Sequence, residues 1–159
     1  MPEMVLTYDF PGARSVDERP LTFSALVQRL NEIRDRYSPM AGCPFSVDLV
    51  KDNGSLSTAP EYAERLSIGL GNGEWMIVYN PGLDQGPFLY SLGDEHLEGT
   101  VPFFYGQWSE LSRKYLIPKD DALEAVRVWF EEGVLSDAIR WTTKIYSGSN
   151  QGDATDLRN

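Results

Sequence analysis

Three scarcities narrow what this chain can do: one cysteine, one histidine, and no lysine or arginine anywhere between Leu66 and Ser112. Cys43 alone excludes an intramolecular disulfide and any thiolate cluster. In Gly42-Cys43-Pro44-Phe45, ahead of an apolar run, it reads as a buried structural thiol, and an unpaired cysteine suits a reducing compartment. His96 is too solitary to build a zinc centre, which takes three or four His, Cys or carboxylate ligands. A metal site here would be nearly all carboxylate, and neither a metal nor another cofactor is expected. His96 lies in Asp94-Glu95-His96-Leu97-Glu98 with no G-x-S-x-G element in the chain, so a nucleophilic triad has no support. Long apolar runs are missing too: no window approaches the roughly 20 residues of a membrane span. Met1-Pro2-Glu3-Met4 offers neither the basic nor the apolar part of a signal peptide. The expectation is a soluble cytoplasmic protein without membrane contact.

Cations are scarce overall, with 14 Lys and Arg against 24 Asp and Glu for a net charge of -10. Each phosphate contact needs a cation, so direct binding to nucleic acid is not expected. Gly69-Leu70-Gly71-Asn72-Gly73 does not change this, because a strand pattern follows it and no lysine stands nearby. What the cation-free stretch does hold is six carboxylates, eight aromatics and eight of the 14 glycines. An acidic, aromatic surface of that kind attracts a basic protein.

The 159 residues suit a single domain, expected over residues 1–146, with a disordered tail at residues 147–159 where apolar periodicity ends. Val5-Leu6-Thr7-Tyr8 is extended in character and broken by Pro11-Gly12. Thr22 is a plausible N-cap, and Phe23, Leu26, Val27, Leu30, Ile33 and Tyr37 recur at helical spacing until Ser38-Pro39. Phe45 to Val50 alternates as a strand. Asn72-Gly73 between two apolar runs predicts a hairpin with a two-residue turn that pairs Gly71 with Glu74, Leu70 with Trp75, Ile68 with Ile77 and Leu66 with Tyr79. That register gathers Leu66, Ile68, Leu70, Trp75, Ile77 and Tyr79 on one face. The other face, with Ser67, Gly69, Gly71 and Met76, is flat enough for something to approach closely. Phe88 to Leu92 and Val101 to Tyr105 read as further strands, the second an edge or bulge because of Pro102, completing a meander of about four strands. Gly106 to Glu110 reads as a loop. Pro118 opens a second helix with Asp120 and Asp121 in its first turn and Gly133 at its end, and Ile139 to Ile145 alternates as a last strand. The fold class is therefore α+β: an antiparallel meander with two main helices packed against it as a single layer pair.

Three blocks carry a family likeness: Leu66-Ser67-Ile68-Gly69-Leu70-Gly71-Asn72-Gly73-Glu74-Trp75, then Tyr90-Ser91-Leu92-Gly93-Asp94, then Phe104-Tyr105-Gly106-Gln107-Trp108. In this order they resemble the first-numbered immunity-protein family of bacterial polymorphic toxin systems. Tyr115-Leu116-Ile117-Pro118, Gly133 and Ile139-Arg140-Trp141 look like the same family's C-terminal part. The resemblance implies a small α+β protein that neutralises its producer's own toxin, typically one with a nucleic-acid deaminase domain. It brings no catalytic residues, because such a protein inhibits by binding.

The family label does not fix the binding face, so the interface is argued from chemistry. A deaminase must present a basic groove to the phosphate backbone, and carboxylates with rigid aromatics would occlude it. Asp94, Glu95, Glu98, Trp108 and Glu110 are the expected contacts with the toxin, tryptophan being a frequent interface anchor. Two alternatives stand beside this. Asp94, Glu98 and Glu110 could converge as the acids of a carboxylate-based hydrolase, or the chain could be an acidic adaptor or chaperone for another basic protein.

Overall fold

Helical spacing and period-two alternation become two helices and ten strands in the computed structural model, which describes residues 3–9, 16–54, 58–104 and 107–146. The strands are β1 (Glu3–Tyr8), β2 (Val16–Glu18), β3 (Phe45–Asp52), β4 (Arg65–Leu70) and β5 (Glu74–Asn80), then β6 (Leu89–Leu92), β7 (Thr100–Phe104), β8 (Trp108–Ser112), β9 (Ile117–Pro118) and β10 (Arg140–Thr142). Helices α1 (Phe23–Ala41) and α2 (Lys119–Glu132) and two 3-10 turns, Pro60–Tyr62 and Arg113–Tyr115, complete the chain. The spine of the sheet runs β10-β6-β5-β4-β3-β1-β2, all antiparallel. The expected break at Pro11-Gly12, the end of the strand at Tyr105 and the tail at 147–159 lie outside the described residues.

The β4–β5 hairpin has the expected register, Leu66 opposite Tyr79 and Ile68 opposite Ile77. The turn does not set it, since neither Asn72 nor Gly73 has positive φ. The expected Leu70–Trp75 and Gly71–Glu74 pairs are not part of it: past Met76, β5 leaves β4 and pairs with β9, Trp75 with Ile117 and Glu74 with Pro118, while the Trp75 indole N–H donates to the Gly71 carbonyl at 2.8 Å. Burial of the apolar face fixes the pairing, because a one-residue slip would turn Leu66, Ile68 and Ile77 to the wrong side.

Both helices cover that face. Leu26, Leu30 and Ile33 of α1 and Ala122, Val126, Trp129 and Phe130 of α2 join Leu66, Ile68, Leu70, Trp75 and Ile77 in one core. Thr22 caps α1 as expected, its hydroxyl oxygen accepting from the Ala25 N–H at 3.0 Å. The helix does not stop at Ser38-Pro39, however. It runs to Ala41, and Gly42 and Cys43 close it by donating to the Pro39 and Ser38 carbonyls. Those two bonds form a Schellman cap, and a proline in the last turn removes only one helical N–H. Pro118 sits just before α2 as its cap, not as its first residue, because its backbone is extended and paired with Glu74.

The second face of the sheet is not open. Met76, Phe103, Tyr115 and Leu116 form a smaller core there, with the Phe103 ring lying where a β-carbon on Gly69 would stand. What approaches the flat face is the chain itself. The meander stops at β6, whose outer neighbour is β10, and β7 instead pairs with β8 and touches β3 at one parallel bridge, Phe45 to Phe104. Of the expected loop at Gly106 to Glu110, Trp108 to Glu110 belong to strand β8, and Gly106 lies outside the described residues.

Candidate functional site

β7 and β8 form a two-stranded ribbon across the second face, pairing Thr100 with Ser112, Pro102 with Glu110 and Phe104 with Trp108. Side chains two residues apart share a face of a strand. Trp108 and Glu110 therefore turn outward together, while Phe103 and Leu111 turn toward the small core. Trp108 is 57% exposed yet held in place. Its indole N–H donates to the Ala41 carbonyl at 2.8 Å, and its ring meets Phe104 edge-on at 4.8 Å. Phe104 in turn stacks on Phe45 at 5.5 Å.

Glu110 is exposed and accepts from the Thr100 hydroxyl at 3.1 Å. Asp94, Glu95 and Glu98 are exposed on the β6–β7 connection, where the Asp94 carboxylate accepts the His96 N–H at 2.9 Å. The five expected contact residues are strung along the ribbon instead of gathered at one point. Three sit at its Thr100 end, Glu110 in the middle and Trp108 at the far end, four strand residues or roughly 13 Å from Ser112.

The charge around them differs from the linear pattern. Arg140 of β10 pairs with Glu95 at 3.0 Å and also donates to the Gly93 carbonyl. Lys114 donates to the Leu97 carbonyl at 2.6 Å, and Arg113 donates to the Glu98 carbonyl at 3.4 Å. A stretch without cations in sequence thus receives three from flanking elements. The Glu95–Arg140 pair is exposed on both sides, so water screens it and an incoming cation can replace Arg140 at little cost.

Among the described residues, no three His, Cys, Asp or Glu side chains are grouped to hold a metal ion. Cys43 is buried in the core, and burial pushes its thiol pKa up, which lowers its thiolate fraction. No described helix is long and apolar enough to cross a membrane.

The sequence reading missed a second exposed cluster. Leu83 and Phe88, in the β5–β6 connection, and Tyr62, in the first 3-10 turn, are 48%, 45% and 45% exposed. Leu83 and Phe88 line a groove of about 470 Å³ together with Pro60, Glu61, Arg65 and Asn80. The available signal was an isolated apolar residue in a loop bounded by Pro81-Gly82 and Gly86-Pro87.

An open antiparallel sheet with helices on one face, and a ribbon bearing an outward tryptophan on the other, defines a small α+β protein whose distinctive surfaces suit contact with another protein. The family described as Immunity protein Imm1 matches residues 23–143, a span that takes in both helices and strands β3 to β10. The chain belongs to this family, and its class of function is the neutralisation of a toxin. No curated protein matches it.

Proposed function

We propose that this protein acts in the cytoplasm as an immunity protein that binds a nucleic-acid deaminase toxin and occludes its basic substrate groove. Residues 1–146 act as one unit, and Asp94, Glu95, Glu98, Trp108 and Glu110 make the contact. One observation carries the reading: Trp108 leaves more than half its surface outside although its indole N–H is already satisfied by Ala41. Its exposed ring face is therefore rigid and free of unmet hydrogen bonds, the condition under which a tryptophan anchors an interface at low entropic cost. Carboxylates beside it favour a cationic partner and speed encounter, while the ring governs dissociation.

The test is calorimetric titration of the toxin domain encoded directly upstream, at two salt concentrations. Trp108→Ala is expected to weaken binding tenfold or more. Changing Asp94, Glu95, Glu98 and Glu110 together to alanine should weaken it and flatten its salt dependence. Wild-type affinity and salt slope in both variants would remove the ribbon as the interface. Substrate turnover by the chain alone would overturn the reading entirely.

A further inference from the structure

The Leu83–Phe88 groove belongs to no element of the ribbon. It lies at the Asn80 end of β5, whereas Trp108 lies near the Phe45 and Leu70 ends of β3 and β4. Two of the seven exposed large hydrophobics among the described residues, Leu83 and Phe88, line it, and the backbone of a third, Tyr62, packs against Gly82 beside it. Exposed apolar side chains scattered singly are ordinary, but a cluster around one depression is not.

The groove is also built. The Leu83 N–H donates to the Glu61 carbonyl at 2.9 Å, the Gly82 N–H donates to Asn80 Oδ1 at 2.9 Å, and the Gln85 N–H donates to the Gly82 carbonyl at 3.1 Å. Gly82 has φ of 101° and packs so tightly on the Tyr62 carbonyl that a β-carbon would overlap it. Asp84, at φ 62°, is the only non-glycine among the described residues in the left-handed region. These bonds hold the Leu83 turn in a defined geometry, and Phe88 directly precedes β6, so little ordering cost remains for binding.

Charge then selects the occupant. Glu61 lines the groove and is exposed, and Asp84, next in the chain to the lining residue Leu83, is exposed too. The one cation in the lining, Arg65, is turned inward with 17% of its side chain exposed, donating to the Ala63 and Pro60 carbonyls and facing Asp48 at 3.7 Å. Among the described residues no lysine or arginine forms an ion pair with Glu61 or Asp84, whereas Arg140 pairs with Glu95 on the Asp94–Glu98 loop.

We propose that the groove is a second docking site for the toxin, taking an apolar side chain flanked by lysine or arginine. The assignment rests on the immunity reading, and it adds an anchor at the opposite end of the central strands. A positive residue beside the apolar one meets Glu61 and Asp84, and a flanking carboxylate is repelled.

The experiment titrates the same upstream-encoded toxin domain into Leu83→Ser/Phe88→Ser and into Glu61→Lys/Asp84→Lys, with thermal melts to confirm folding. Each variant is expected to melt like the wild type and to bind tenfold or more weakly. The charge variant should lose its deficit at high salt and the apolar variant should not. If both bind as the wild type while Trp108→Ala weakens binding, the groove is not a docking site and the ribbon stands. If the groove variants weaken binding and the ribbon variants do not, the groove is the principal interface. If wild-type protein does not bind this toxin domain at all, the immunity assignment behind both fails.

Discussion

Glu18 shows what one side chain can hold together. Its carboxylate accepts from Arg29 Nε at 2.7 Å and from the Tyr8 hydroxyl at 2.7 Å, and Arg29 Nη2 donates to the same hydroxyl at 2.6 Å. β1, β2 and α1 meet at this triad. The Arg29 hydrogen bond holds the Glu18 carboxyl below its ordinary pKa, against an opposing desolvation, with Tyr8 assisting. Burial first, and then Glu18, pushes the Tyr8 hydroxyl up to about 12. The signs follow. A lowered carboxylate stabilises the fold at pH above its unfolded value and loses that contribution as pH falls through the folded one. A raised tyrosine stabilises below its unfolded value near 10 and loses that contribution as pH rises toward about 12. Glu18→Gln should therefore cost about 1 kcal/mol at pH 7, a figure kept small because Arg29 is partly open to water. The difference from wild type should shrink toward zero below pH 4. Urea midpoints at pH 7 and pH 3 measure it, and equal gaps at both values would contradict the linkage.

At the scale of elements, the ribbon depends on a residue with no side chain. Phe103 of β7 occupies the space above Gly69 of β4, and it is 2% exposed with no room to withdraw. Gly69→Ala should cost about 1–3 kcal/mol by overpacking. In a Phe103→Ala background the same change should cost close to nothing, because the obstructing ring is gone. Denaturant titration of the double-mutant cycle reads the coupling, and additive losses would mean that β7 does not press on Gly69. Gly69 illustrates what a linear reading reaches. Alternation in β3, β4 and β5 and the stripes of α1 and α2 were legible because each apolar face is buried as a unit. The flatness at Gly69 was legible as well, but not its occupant, which is set by tertiary placement of a strand 34 positions later. β8 was hidden because Glu110 alternates with Ser109 and Trp108 faces water, which leaves no apolar face to betray a strand. β2 and β9, at three and two residues, are too short to carry any period.

Over the whole molecule, the charge pattern along the chain and the pattern in space part company. Arg113, Lys114 and Arg140 come to the Asp94–Glu98 loop from elements outside the cation-free stretch. For the candidate site, residue type was therefore legible and electrostatic setting was not, since Arg140 lies 45 positions from the acid it pairs with. A steering field depends on the summed charge and its position, not on any single pair. Under the immunity reading, Arg140 masks Glu95 and subtracts from the negative potential that draws a basic toxin inward. Arg140→Gln should then raise the association rate constant several-fold at low ionic strength, because it removes the cation paired with Glu95 and makes the net charge more negative. The gain should fade as salt rises, since the Debye length shrinks from about 30 Å at 0.01 M to about 3 Å at 1 M. Dissociation should change little, because an exposed pair contributes little to a docked complex. Stopped-flow association across that salt range separates the two rates. A variant that associates no faster at low salt, while binding the toxin normally, would show that this end of the ribbon takes no part in capture.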